Sequence, residues 1–211
     1  FTIDSGIGGR TVNIALRPFT LIGATTRSGL LTAALRDRFG IPFHLEFYRP
    51  AELVEILRRS AVKLQVEAEN GALGLIAGRS RGTPRVANRL LKRIRDYAQV
   101  RADGRLTAEV VDKALDLQRI DALGLDDLDR AFLKTLITTY EGGPAGIDAL
   151  AATLGQERDT LEDVVEPYLL QIGFVIRTKQ GRAAARAAYD HLGIPFPTSP
   201  PRPIQGELFE E

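Results

Sequence analysis

The residues best suited to chemistry in this chain are hydroxyls and cations, and their spacing suits phosphate. Thr25 and Thr26 end a short apolar run, and Arg36 and Arg38 follow on either side of Asp37. Arg85 comes directly after Gly82-Thr83-Pro84, and Arg177 and Arg182 flank a stretch containing Lys179 and Gly181. A guanidinium stays charged and offers a planar fork of donors to an oxyanion, while a threonine hydroxyl can donate to a phosphate oxygen or position a water. Each has a plainer reading. The threonines can simply end a strand and cap the next element, and the arginines can pair with Asp37 or another surface carboxylate, an arrangement worth about 0–1 kcal/mol. The chain has no Gly-x-x-x-x-Gly-Lys-Ser/Thr loop and no strand ending in an acidic pair for magnesium. With no cysteine, thiolate metal sites and disulfides are excluded.

The elements that must position these residues change character along the chain. Thr11 to Leu16 alternates like a half-exposed strand, with Val12, Ile14 and Leu16 on one face, and Gly6-Ile7-Gly8-Gly9 supplies a turn before it. A β hairpin from about Phe1 to Leu16 is expected. Phe19 to Ala24 and Pro42 to Phe47 read as buried parallel strands, joined by a crossover helix from Thr32 to Arg38 that Gly40 ends. From Pro50 the period becomes helical, with Leu53, Ile56 and Leu57 on one face. Further helices are expected over Asn70 to Arg79, Pro84 to Val100 with Thr83 as N-cap, and Thr107 to Leu117. Asp121 to Leu125 reads as a linker. Helices over Leu128 to Tyr140, Ile147 to Leu154 and Asp159 to Gln171 then lead into a hairpin over Phe174 to Arg182, which is the winged-helix order. From Pro195 proline and glutamate dominate, and disorder is expected.

Three segments, Pro18-Phe19-Thr20-Leu21-Ile22-Gly23-Ala24-Thr25-Thr26-Arg27, Leu35-Arg36-Asp37-Arg38-Phe39-Gly40 and Arg81-Gly82-Thr83-Pro84-Arg85, resemble in order and spacing the second half of the RuvB family of AAA+ ATPases. The likeness runs to about Pro195; each piece alone is weak, and together with a winged helix they are specific. The resemblance implies the C-terminal part of an α/β AAA+ ATPase core, parallel strands plus a β hairpin, over residues 1–48. It further implies an all-α lid over 49–120, a winged-helix DNA-binding head over 121–194 and a tail over 195–211. By the same resemblance Thr26 senses the γ-phosphate, and Arg38 is an arginine finger that reaches the ATP of the adjacent subunit in a ring. Arg85 is the second sensor of its own subunit, and Tyr48 packs near the adenine at the hinge. Read alone, these last two are a solvated arginine and a hinge-packing tyrosine.

The hairpin is implied to dock on RuvA through Val12 and Ile14, although the same residues can pack on their own domain. In the wing, Arg177 and Arg182 can straddle a phosphate backbone while Gly181 permits close approach, a contact that positions without reading sequence. Many winged helices bind protein instead. The implied activity is ATP-dependent branch migration of Holliday junctions in recombination and repair. It belongs to a homohexamer acting on duplex DNA with RuvA, and with RuvC in the resolution complex. ATP and Mg2+ are then gripped by residues expected to precede Phe1, and the piece alone is expected to be inactive. The competing reading is a non-enzymatic winged-helix regulator that binds an operator as a dimer.

Composition narrows the classes further. Apolar residues are 44% and charged residues 26% of the 211, the balance of a globular protein. No apolar run approaches the roughly 20 residues of a membrane span and no cleavable leader is legible, so the cytoplasm is the expected compartment, and the resemblance implies a bacterial one. A net charge of +1 conceals arginine-rich Arg79 to Arg101 and Arg177 to Arg186 against acidic Asp121 to Asp129 and Glu207 to Glu211. Gln205-Gly206-Glu207-Leu208-Phe209 is similar to the peptide by which bacterial proteins dock on the sliding clamp, with Leu208 and Phe209 as anchors; such short motifs also arise by chance.

Overall fold

The computed structural model describes residues 2, 3, 12, 13, 17–25 and 28–197, with only the backbone at 2, 3, 12, 13 and 28. The chain divides into two compact units, Phe1–Leu45 and Glu46–Glu211. In the first, β1 (Thr2–Ile3) pairs antiparallel with β2 (Val12–Asn13), Ile3 opposite Val12. A short helix α1 (Ala33–Arg36) is capped by Thr32, whose hydroxyl accepts from the Leu35 amide at 3.3 Å. The expected parallel strands do not form. Among the described residues Phe19 to Ala24 and Pro42 to Phe47 make no ladder, and Ile22 and Leu45 are each 87% exposed. A parallel strand needs a bonded neighbour and cover on both faces, and these two runs do not pair with each other. Thr26, Ile14 and the Gln205 to Phe209 peptide lie outside the described residues.

The second unit contains two apolar cores. The first is built by α2 (Pro50–Lys63), α3 (Asn70–Gly78), α4 (Pro84–Arg101) and α5 (Ala108–Leu117). On α2, Leu53, Leu57 and Ala61 recur every fourth residue and are buried, Pro50 opens the helix, and Glu52 folds back to accept the Arg49 amide at 2.8 Å. On α4, Ala87, Leu90, Leu91, Ile94 and Ala98 face the core, leaving Arg85, Arg89, Lys92 and Arg93 in solvent. Thr107 caps α5 by accepting from the Val110 amide at 3.3 Å. Thr83 stands at the N-cap of α4 but does not cap with its side chain; its hydroxyl donates to the Ser80 carbonyl at 3.3 Å instead.

The second core gathers Phe132, Leu133 and Leu136 of α6 (Asp127–Thr138) and Leu150 of α7 (Ile147–Leu154). Leu161, Leu169, Phe174 and Tyr189 complete it. The predicted single helix over Asp159 to Gln171 is three segments: α8 (Arg158–Thr160), a π-helical turn over Leu161–Val165 and α9 (Glu166–Gln171). Pro167 explains the widening, since it has no amide hydrogen and its ring crowds the carbonyl four residues back. β3 (Val175–Thr178) and β4 (Gly181–Ala184) form the wing, and Ala145 bridges Arg182 through two backbone bonds of 2.8 Å. A further helix, α10 (Arg186–Leu192), which the pattern reading passed over, buries Ala188 and Tyr189 and ends on left-handed Gly193.

Residues 121–125 are a built turn rather than a loose linker. The Asp121 carboxylate accepts from the amides of Leu123 and Leu125, both at 2.9 Å, and its second oxygen lies 2.9 Å from His191 Nε2. Among the described residues no helix is long and apolar enough to cross a membrane.

Candidate functional site

The wing holds the best-defined cluster of charge. The hairpin register sets Arg177 opposite Arg182, so both guanidiniums lie on the same side, over the helix behind them. Glu166, whose side chain is fully buried, accepts from Arg177 Nε at 2.8 Å and Nη2 at 2.6 Å, and from Arg182 Nε at 2.8 Å and Nη2 at 3.0 Å. Glu162, one turn earlier, accepts from Arg182 Nη2 at 3.1 Å. Burial alone would raise the Glu166 carboxyl, but the hydrogen bonds from Arg177 and Arg182 outweigh it and hold it below the usual carboxylate range. The hydrogen bond from Arg158 does the same for Glu162.

The two arginines therefore differ in what remains available. Arg182 is turned inward with 14% of its side chain exposed, whereas Arg177 keeps 56%. Lys179, at the tip, is exposed and makes no ion pair among the described residues. Gly181 is needed for a different close approach from the one the sequence suggests. At φ +143 a Cβ there would run into the Ala145 carbonyl, so the space is taken by protein backbone rather than by a ligand.

A second cluster surrounds the start of α4. The Tyr48 amide donates to the Gly82 carbonyl at 2.8 Å, and Gly82, left-handed at φ +67, lies against the Phe47 side chain. Tyr48 and the loop that precedes Arg85 are thus tied through the backbone. Arg85 is exposed and lines, with Asn88, Arg89, Lys92 and Arg93, a shallow concavity of about 470 Å³. Among the described residues Arg85, Arg89 and Lys92 make no ion pair, while Arg79 pairs with Asp112 at 2.7 Å and Arg95 with Asp96 at 2.6 Å. The result is an uncompensated positive field suited to phosphate oxygens.

In the first unit, Arg38 follows α1 and is exposed; among the described residues neither it nor Arg36 pairs with Asp37 or any other carboxylate. The backbone of Val12 pairs with Ile3. Among the described residues no group of three or more histidines or carboxylates could hold a metal ion.

The sequence reading missed the groups that immobilise the arginines. Glu166 and Glu162 stand four apart before the hairpin, a spacing that puts two carboxylates on one helix face and was available as a signal. Asp126 and Asp129 show the capping-box spacing ahead of an apolar run. That Asp129 also receives Arg81 is a tertiary fact with no local signal.

Three family models match successive stretches of the chain. Residues 1–45 match the Holliday junction DNA helicase RuvB P-loop domain, 48–121 the RuvB AAA lid domain and 122–193 the RuvB C-terminal winged helix domain. The Holliday junction branch migration complex subunit RuvB of Pseudothermotoga lettingae is 52% identical over 209 residues, which are 99% of this chain and 59% of that protein. The chain thus spans about three-fifths of the length of this curated relative. The Thermotoga maritima RuvB Holliday junction branch migration motor superposes with a TM-score of 0.81 at 54% identity, covering 86% of this chain and 61% of that one. A point mutant of the same Thermotoga protein gives 0.82 at 52% identity, covering 88% and 62%.

Proposed function

The chain belongs to the RuvB family, and from that premise we propose that it is the sensor, lid and DNA-contacting part of a hexameric motor of the bacterial cytoplasm. The whole protein hydrolyses ATP with Mg2+ to migrate Holliday junctions during recombination and repair, acting with RuvA and, in resolution, with RuvC. The observation that carries this reading is the unpaired Arg85 face at the start of the lid helix, on the same folded unit as a wing whose exposed cations are Arg177 and Lys179.

In this scheme Arg85 contacts the nucleotide of its own subunit and Tyr48 holds the hinge loop. Arg38, exposed and without a carboxylate partner among the described residues, reaches the nucleotide of the next subunit. Thr26 positions the attacking water, and Val12 with Ile14 form the contact for RuvA. The sequence carries no phosphate loop, so the grip on phosphate and magnesium falls to parts of the whole protein that this chain does not contain. On DNA, Arg177 and Lys179 touch phosphates, and Arg182 braces Arg177 through their shared Glu166.

The operator-binding alternative meets an electrostatic objection. The third helix of the head, the element that a reader of base edges inserts in the major groove, carries Arg158 as its single cation, and that arginine is already paired with Asp148 and Glu162. The test is Arg38→Ala in the full-length hexamer. ATP turnover is expected to fall by about 10³-fold or more with nucleotide affinity retained, and mixing with a subunit defective in its phosphate loop should restore some turnover. Unchanged turnover of the variant alone would remove Arg38 from the mechanism.

A further inference from the structure

Between the two cores of the second unit lies a polar seam with Arg81 at its centre. Arg81 sits at φ +53, outside the comfortable range of a side-chain-bearing residue, and is followed by left-handed Gly82. Surrounding structure must hold such a residue in place. Its Nε donates to the Gly124 carbonyl at 2.8 Å, and its guanidinium forms a close ion pair with Asp129, whose side chain is 1% exposed, and reaches Asp126 at 3.4 Å. The guanidinium also lies 5.2 Å above the Tyr168 ring, and the Tyr168 hydroxyl donates to the Leu123 carbonyl at 2.6 Å. One side chain thus engages the connector, the first helix of the head and its third helix.

The backbone is equally constrained. Gly124, at φ +80, lies so close to Arg79 that a Cβ would collide with the Arg79 carbonyl. Arg130 reaches back to the carbonyls of Leu125 at 2.7 Å and Arg119 at 2.6 Å, fixing both ends of the connector. On the lid side, buried Ser80 donates to the Ile76 carbonyl at 2.5 Å and accepts at its own carbonyl from the Thr83 amide at 3.0 Å. The short segment from Arg81 to Arg85 therefore connects the head directly to the first turn of α4. Among the described residues no buried side-chain nitrogen or oxygen is left unpaired.

We infer that Arg81 is a positioning residue that welds lid and winged helix into one lever, so that a tilt of α4 imposed at Arg85 is delivered to the wing without being absorbed at the connector. This rests on the motor reading above. A flexible joint at residues 121–125 would dissipate the tilt; the Arg81 fork, bound to three elements of the head, prevents it. The guanidinium shape is required, because lysine can keep the charge near Asp129 but cannot also hold the Gly124 carbonyl.

The test has two arms. In the full-length hexamer, Arg81→Ala is expected to keep ATP turnover within about twofold while base pairs migrated per ATP fall at least about tenfold, with Arg81→Lys intermediate. In this chain, which lacks cysteine, spin labels at Val100→Cys and Lys179→Cys should give one narrow distance distribution that broadens in Arg81→Ala. Circular dichroism should show both cores intact in the variant. An equally narrow distribution, or unchanged migration per ATP, overturns the lever. If the parent hexamer itself hydrolyses ATP without migrating junctions, the motor reading fails, and the label distances still decide whether Arg81 welds the seam.

Discussion

Replacing Glu166 by alanine should detach the wing from the head at a cost that the geometry allows one to size. The fully buried carboxylate accepts four bonds of 2.6 to 3.0 Å from two guanidiniums. Once it is removed, Arg177, 56% exposed, can turn into water, so its share of the loss is small. Arg182, 14% exposed, cannot do so freely and retains only Glu162 at 3.1 Å. Breaking a buried pair from one side costs about 3–5 kcal/mol, and the surviving Glu162 contact places Glu166→Ala near the lower end, about 3 kcal/mol. Urea unfolding followed by circular dichroism measures this in Glu166→Ala, Arg182→Ala and the double variant. Because the partners share one interaction, the double variant should cost less than the sum of the singles by about 1.5 kcal/mol or more. A loss under about 1 kcal/mol for Glu166→Ala, or strict additivity, would show that the cluster does not anchor the wing.

Two further outcomes follow from single side chains. Burial pushes the Asp129 carboxyl up to about 6, against the pull of the Arg81 charge and the Asp126 amide. The folded value lies above the unfolded one, so this group's contribution is full below about pH 4 and is lost as pH rises through about 6. The chain should gain about 1 kcal/mol from it between pH 7 and pH 5, a gain absent from Asp129→Asn in parallel urea titrations; superimposable pH profiles would refute the assignment. Gly181→Ala should destabilise the head by about 2 kcal/mol or more, because the new methyl meets the Ala145 carbonyl. Gly155→Ala, also left-handed at φ +61 but with open space around it, should cost about 1 kcal/mol. Equal losses at the two glycines would refute the steric argument.

Local pattern carried much of the second unit. The spacing of Leu53 and Leu57, the Pro50 and Pro84 starts, the Thr107 cap and the glycine-turned hairpin all act within a few residues, so they are visible in sequence and present in the structure. The reading went astray where remote partners decide. Phe19 to Ala24 and Pro42 to Phe47 have the apolar content of sheet strands but no ladder neighbour among the described residues. The π turn reflects a proline that helical periodicity does not register, and α10 is too short and alanine-rich to stand out from the hairpin before it. Of the chemistry, the arginines were legible by type and motif. Which of them stay free depended on carboxylates a turn of helix or a domain away, such as Glu166 and Asp129.

The Asp121–Asp129 connection joins two greasy interiors with ionic and hydrogen-bonded contacts at Asp121 and Asp129, while Leu125 between them is buried in the second interior. Denaturants and heat act chiefly on apolar burial, whereas acid and salt act on charge. Different solvent variables therefore address the two levels of organisation separately. Perturbations aimed at charge and perturbations aimed at apolar burial are therefore separable here, so loss of mechanical continuity and loss of native structure become experimentally distinct transitions.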